Sequence, residues 1–515
     1  MNYLTYCGNQ IVSVKLPADA DVFYAPPPIQ GLTKADIPQV VRRAFCDLQG
    51  GGSLESLVRP GSRVLIAFDD NCQPFPQTSR PDIRQQAIET LISMLTGYGV
   101  DESNIELICA VALHRKMKRH ELARMLGARI MRRFYPNRLI NFDAEDRDRI
   151  ADLGTTDRGE PVQVYKGVIE CDLVIYVDTV QIPLNGGHKS VAVGLGSYES
   201  IANHHHPKMT ADCPHVMQPD GSKMHECIER ISRVVGQNAR IVVMEAVMNN
   251  AIYPAHLRYL AKAPADCNAP ESVMRAATTR FMKILPEPVR KVILAGVRSA
   301  YAPMEINAGD IDAVHTRTIS RLTEQVAVPV PRQYSTLVFG LPDLSPYSVG
   351  ARINPVLVVS DVLGYVFNWF YGKPLIAPGG VVIILNPAFE VFHPEYHVAY
   401  ERFYREVLPV TTDPFEMQEQ FQESFARDPK LVTCYRERFA HHGFHPFTVW
   451  YWATYALKYL SNVILVGPPD DRVARTFGVD WAPDLDRALA KARETAPDPS
   501  VCALTIPPFF YTRVG

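Results

Sequence analysis

Residues 171–190 read CDLVIYVDTVQIPLNGGHKS. The run at 171–177 is apolar without alternation, as a strand covered on both faces must be. A polar segment, Asp178 to Gln181, follows it and leads into the paired glycines Gly186 and Gly187. His188, Lys189 and Ser190 come next. A buried strand that empties into a polar, glycine-bearing turn fits an open α/β sheet, where ligands sit beyond the carboxyl ends of strands.

The pattern repeats on both sides of this stretch. Apolar runs at 63–69 (RVLIAFD), 105–112 and 241–247 predict three more strands. Between them, Ile83, Ala87, Ile88, Leu91, Ile92 and Leu95 recur at helical spacing behind Pro81, and a short helix is expected at 119–126. About the first 55 residues are Pro-rich and read as irregular chain, and 264–300 reads as an insertion or connection. A second α/β unit begins near Tyr334, with strands at 335–340, 381–385 and 462–466 and helices near Arg321, Glu401, Gln418, Val449 and Leu485. The expectation is an α/β protein of two α/β domains, 1–330 and 331–515, with mostly parallel sheets and the active site in the cleft between them.

Bulk properties narrow the function. A chain of 515 residues exceeds what one core of ordinary size encloses. A formal net charge of −2 gives no electrostatic support for nucleic acid or an anionic membrane surface. The start, MNYLTYCGNQ, lacks a basic-then-apolar leader, and no apolar run supplies the ~20 residues of a membrane helix. The 10 cysteines are scattered without a CxxC pair, which argues against a thiolate zinc site and for reduced thiols in the cytoplasm. The expected partner is a small molecule, with neither nucleic acid nor membrane; self-association is left open.

Several groups can carry chemistry. Gly186 and Gly187 let backbone approach a ligand, and Lys189 is a point cation or, if desolvated, a nucleophile. From its residues alone, the segment serves equally as a plain turn with a solvated lysine. The run His204-His205-His206 offers imidazoles as metal ligands or bases; consecutive loop residues diverge, so one ligand is expected rather than three. Asp69 and Asp70 end one strand, and His114 and Arg115 end another. His441, His442 and His445 form a further cluster, read as structural.

Taken together these pieces resemble the nickel-dependent lactate racemase family, whose members hold a nickel-pincer nucleotide. Gly186-Gly187-His188-Lys189-Ser190 with Ile201-Ala202-Asn203-His204-His205-His206-Pro207 is similar to the family's GGRKS…NHSP stretch. The resemblance implies that Lys189 tethers the cofactor, with Gly186, Gly187, His188 and Ser190 beside it. It implies His205 as the nickel ligand, with His204 as the rival one register away. Ala112-Leu113-His114-Arg115 resembles the segment bearing a general acid/base histidine, which points to His114 with Arg115 adjacent. Asp70-Asn71-Cys72-Gln73-Pro74 stands where the family has DHTRP, so Asp70 matches the active-site aspartate. Ala308-Gly309-Asp310 to His315, and 377–383 (APGGVVI), resemble further family segments.

The departures shape the expected activity. Gln73 replaces the family arginine, and Thr179 takes the place of a second catalytic histidine. The second-domain glutamine and lysine have no clear counterpart beyond Asn354. The resemblance implies a racemase or epimerase of a 2-hydroxy acid other than lactate, working by hydride transfer through the tethered cofactor. Two alternatives stand beside it: an oxidoreductase or lyase on the same scaffold, and a non-catalytic protein that binds a nucleotide or metal.

Overall fold

The computed structural model describes residues 2–211, 213–348, 350 and 352–515. Two six-stranded sheets organise the chain. The first runs in the order Pro303–Gly309, Ile241–Met248, Leu173–Val180, Val64–Asp69, Ile105–Ala110, Leu139–Asn141. All its pairings are parallel except that of Pro303–Gly309 with Ile241–Met248. Val64–Asp69 and Leu173–Val180 are buried at every position, which explains the apolar runs 64–68 and 173–177 within them. The helix Ile83–Gly97 covers one face and starts at Asp82, whose side chain accepts from the Arg84 N–H.

The chain builds outward from Val64–Asp69 to Leu139–Asn141, then returns to place Leu173–Val180 on the other side. The strand order therefore reverses between Val64–Asp69 and Leu173–Val180. At such a switch point the flanking connections diverge and leave a crevice at the carboxyl ends.

The second sheet repeats the plan. Its order is Asp480–Ala482, Asn462–Val466, Ile376–Leu385, Tyr334–Gly340, Val501–Thr505, Asp21–Tyr24, and every pairing is parallel. Its order reverses between Tyr334–Gly340 and Val501–Thr505. Three smaller assemblies complete the architecture, including the hairpin Asn2–Cys7/Gln10–Lys15 and the hairpin Ile150–Thr155/Pro161–Tyr165. Among the described residues no helix is long and apolar enough to cross a membrane.

One expectation is corrected. The first 55 residues are not irregular: they hold three strands and the helix Ile37–Cys46. Asp21–Tyr24 is also an edge strand of the second sheet, so the start of the chain is attached to its distant end. Val501–Thr505, unforeseen from sequence, is the strand that makes this attachment. The segment at 264–300 forms two helices, Ala269–Ile284 and Glu287–Ala295.

Candidate active site

A cavity of about 190 Å³ lies at both switch points. Its wall includes Asp69, Asp70 and Asp178 from the first sheet, and Phe339, Leu341, Ile506 and Pro507 from the end of the second.

Asp70 follows Val64–Asp69 and is held by backbone: the buried Arg84 guanidinium donates to the carbonyls of Asp69 and Asp70 at 3.1 and 2.5 Å. The Asp70 carboxylate accepts from Cys72 N–H at 2.8 Å and lies 2.8 Å from His114 Nδ1. Burial works to raise this carboxyl, but His114 and the Cys72 groups outweigh it and hold it below the usual range. His114 reaches the site through a tight turn after Ile105–Ala110, in which Ala112 takes φ +48° and His114 N–H donates to Val111 O at 2.8 Å. With Nδ1 engaged by a carboxylate, Nε2 is left as a proton acceptor. Cys72 Sγ lies 3.5 Å from the same Nδ1. Asp70, Cys72 and His114 offer donor atoms within 4.8 Å of one another, close enough to share a cation.

Behind them sit two buried carboxyls and one amine. Thr179 donates its N–H and hydroxyl to Asp69 at 2.7 and 3.0 Å. Ser190 donates its hydroxyl to Asp178. Burial and the neighbouring Asp69 push Asp178 well above the carboxylate range. Lys189 opens the helix Lys189–Gly194 and lines the cavity. Burial lowers its pKa, opposed by Asp69 and Asp178. It makes no hydrogen bond or ion pair among the described residues. A desolvated, uncommitted amine is a competent nucleophile or acyl acceptor.

The histidine run divides into three roles. His204 ends the helix Tyr198–His204, fully buried, with both ring nitrogens unpartnered and off the cavity wall. His206 caps the helix Pro207–Thr210 by accepting from Lys208 N–H at 3.1 Å. His205 lines the cavity, and its Nδ1 donates to Ile201 O at 3.3 Å, which leaves Nε2 free. Burial lowers its pKa to about 3, so the ring is neutral. A neutral imidazole with one N–H tied to a carbonyl and the other nitrogen open is the form that binds a metal.

Other candidates point elsewhere. His188 is turned out of the cavity, with Nδ1 3.0 Å from Ser232 Oγ and Nε2 2.9 Å from Asp312. Arg115 makes a bidentate pair with Glu121 at 2.6 and 2.8 Å and is absent from the cavity wall. Thr179 is fully buried against Asp69 and also absent from it. Gly186 and Gly187 have φ of +81° and +61°, and a Cβ on either would meet Glu245 at 2.5 Å or His315 at 2.7 Å. The Gly187 N–H already donates to the buried Glu245 carboxylate at 2.6 Å, so this turn cradles an internal anion. Gln73 lines the cavity, while Gln181 pins the 73–76 loop by exchanging hydrogen bonds with the Phe75 backbone at 2.8 and 2.9 Å.

The cavity also takes in His445, expected from its cluster to be structural. It begins the helix His445–Tyr459, lines the cavity, and lies 5.2 Å from His114 between ring centres. Its Nδ1 is 2.7 Å from Tyr400 Oη, and Nε2 has no partner among the described residues. Burial and neighbouring histidines keep its pKa well below the ordinary value. His442 N–H donates to Leu113 O at 3.1 Å and Tyr435 Oη, on the helix Pro429–Glu437, to Ala112 O at 2.9 Å, which ties the chain leading into His445 to the His114 turn. Asp361, in a π-helical turn on the same wall, is pushed up to about 7 by burial.

An α/β protein whose two sheets meet a single cavity at their switch points, with lysine, histidine and aspartate converging there, is an enzyme-like scaffold. Residues 7–215 match the family model of the lactate racemase N-terminal domain. Lactate racemase of Lactiplantibacillus plantarum is 23% identical over 171 residues, covering 32% of this chain and 38% of that protein. The lactate racemase apoprotein of Thermoanaerobacterium thermosaccharolyticum superposes with TM-score 0.62 at 15% identity, over 98% of each chain. A crystal structure of a Thermotoga maritima protein superposes with TM-score 0.53 at 14% identity, over 95% of this chain and 100% of that one. Residues 7–215 thus resemble the lactate racemase N-terminal domain in sequence, and the chain shares the fold of the lactate racemase apoprotein.

Proposed function

We propose that this chain is a racemase or epimerase of a 2-hydroxy acid other than lactate, served by a nickel-pincer nucleotide tethered at Lys189. The carrying observation is that Lys189, His205, His114 and Asp70 line one cavity, with the Lys189 amine and His205 Nε2 without a partner among the described residues. These residues fit the group: an amine to anchor it and a neutral imidazole for a late first-row metal. When bound, it supplies a reversible hydride acceptor for the substrate carbon. The reading also makes the cavity the cleft between an N-terminal and a C-terminal α/β domain.

The chain's own residues handle the proton. His114 Nε2 accepts the substrate hydroxyl proton, and Asp70 stabilises the resulting imidazolium through Nδ1. Inverting a centre requires a second acid/base group for the opposite enantiomer. Thr179 is spent on Asp69, so His445, oriented by Tyr400, takes that role. Gln73 offers a neutral amide where a guanidinium would pair a carboxylate, which shifts substrate recognition toward hydrogen bonding.

The test is intact mass after co-expression with the cofactor-synthesis enzymes. A covalent adduct that disappears in Lys189→Ala is expected; no adduct and no nickel overturns the reading. A second reading rests on Asp70, Cys72 and His114 as a plain cation site. Metal bound without adduct, and lost in Cys72→Ser, would favour it.

A further inference from the structure

Tyr347 and Tyr365 stand on the cavity wall with their hydroxyl oxygens 2.6 Å apart. Backbone contacts fix the first: its N–H donates to Ser345 Oγ at 3.2 Å, and its carbonyl accepts from His397 Nε2 at 2.9 Å. Tyr365 closes the π-helical turn Asp361–Tyr365, a widened turn frequent at functional sites.

A tyrosine hydroxyl carries one hydrogen, and burial pushes both groups so far above their ordinary pKa that both keep it. The pair therefore holds two hydrogens, and the mutual bond uses one. Neither oxygen has another partner among the described residues, so the second hydrogen is unspent. Trp452, also on the wall and 5.3 Å from Tyr365 between ring centres, supplies another: its Nε1, which can only donate, is buried without a partner among the described residues.

These donors lie between the proton-handling histidines and His205. The Tyr347 ring centre is 5.3 Å from that of His114 and 4.7 Å from that of His445, while Trp452 is 5.4 Å from His205. Among the described residues the wall carries no arginine, and its one lysine is Lys189, which the tether would take. Asp361, on the same wall, is pushed up to about 7 by burial, so below that pH it keeps its proton and does not repel an anion.

We propose that Tyr347 and Tyr365, with Trp452 beside them, bind the substrate's carboxylate through neutral donors, an assignment that rests on the 2-hydroxy-acid reading above. Two unspent hydrogens suit two carboxylate oxygens. A hydroxyl that accepts from its neighbour is polarised into a stronger donor. Because Tyr347 abuts both His114 and His445, a carboxylate held there presents the adjacent 2-hydroxyl to them.

Glycolate is the smallest probe with both groups. Titrated at pH 6 into the full chain carrying carbon-13 at tyrosine Cζ, it should shift the Tyr347 and Tyr365 signals, assigned from the single phenylalanine variants. Tyr347→Phe with Tyr365→Phe should weaken glycolate by about 10-fold or more in calorimetry, the worth of one hydrogen bond. This pair of changes removes both hydroxyls and orphans no partner, so the circular dichroism spectrum should stay that of the parent. Glycolate that binds the double variant as tightly as the parent, or leaves both signals unmoved, overturns the proposal. The intact-mass test of Lys189 is independent of this one. An adduct together with either of those results sinks the tyrosine site and leaves the cofactor reading standing. No adduct, with glycolate weakened in the double variant, sinks the cofactor reading and upholds the carboxylate site.

Discussion

Asp70 Oδ2 lies 2.8 Å from His114 Nδ1, so a buried carboxylate sets which nitrogen of the histidine faces the cavity. His114→Ala should lower turnover by about 10²–10⁴-fold, the usual worth of a general acid/base. Asp70→Asn keeps an acceptor but loses the charge, and should fall between that variant and the parent with KM little changed. Chiral chromatography on a hydroxy-acid panel reads both; unchanged turnover in His114→Ala removes it as the base.

His114 and His445 should divide the two enantiomers between them. His445→Ala should abolish racemisation yet still form bound 2-keto acid from one enantiomer in a single turnover. His114→Ala should form it only from the other. Rapid quench with each pure enantiomer gives the answer, and an equal loss on both hands would make His445 a packing residue. Tyr400→Phe, which removes only the orienting hydroxyl, should be milder.

Gly186→Ala and Gly187→Ala should each destabilise the fold by about 1–3 kcal/mol, since a Cβ there overlaps Glu245 or His315 and the backbone is left-handed. Urea unfolding measures this. His315→Ala in the Gly187→Ala background should recover part of the loss; no recovery would mean the strain lies in φ alone.

Asp361 gives a pH prediction with a definite sign. Its folded pKa is pushed up to about 7, above about 3.9 in the unfolded chain. Between those values the folded chain keeps a proton that the unfolded chain releases. Stability from this group is therefore complete at low pH and declines as pH rises to about 7, by at most about 1.4 kcal/mol per unit. Asp361→Asn cannot ionise, so it should gain on the parent at pH 8 relative to pH 5. The same offset at both pH values would show that Asp361 does not titrate in this window.

The buried parallel strands were legible because burial on both faces leaves an apolar run, as at 64–68 and 173–177. Asp21–Tyr24 was not: four residues long, it becomes a strand only by pairing with Val501–Thr505. On the site, the sequence pointed to Asp70, His114, Lys189 and His205, all on the cavity wall. It could not tell that Arg115, His188 and Thr179 are claimed by Glu121, Asp312 and Asp69, because those partners come from packing rather than spacing. His445 carried no local signal beyond a helix start at Pro446; contacts from Leu113 and Ala112 bring it to the cavity.

The cavity wall runs from Asp69 to Phe509, so residues about 440 positions apart in sequence must meet before it is finished. During synthesis from the N-terminus, Lys189 and His205 leave the ribosome hundreds of residues before Ile506 and Phe509 arrive to enclose them. Contacts of such sequence separation form slowly. Lys189 is therefore sheltered only where residues of both sheets close around it.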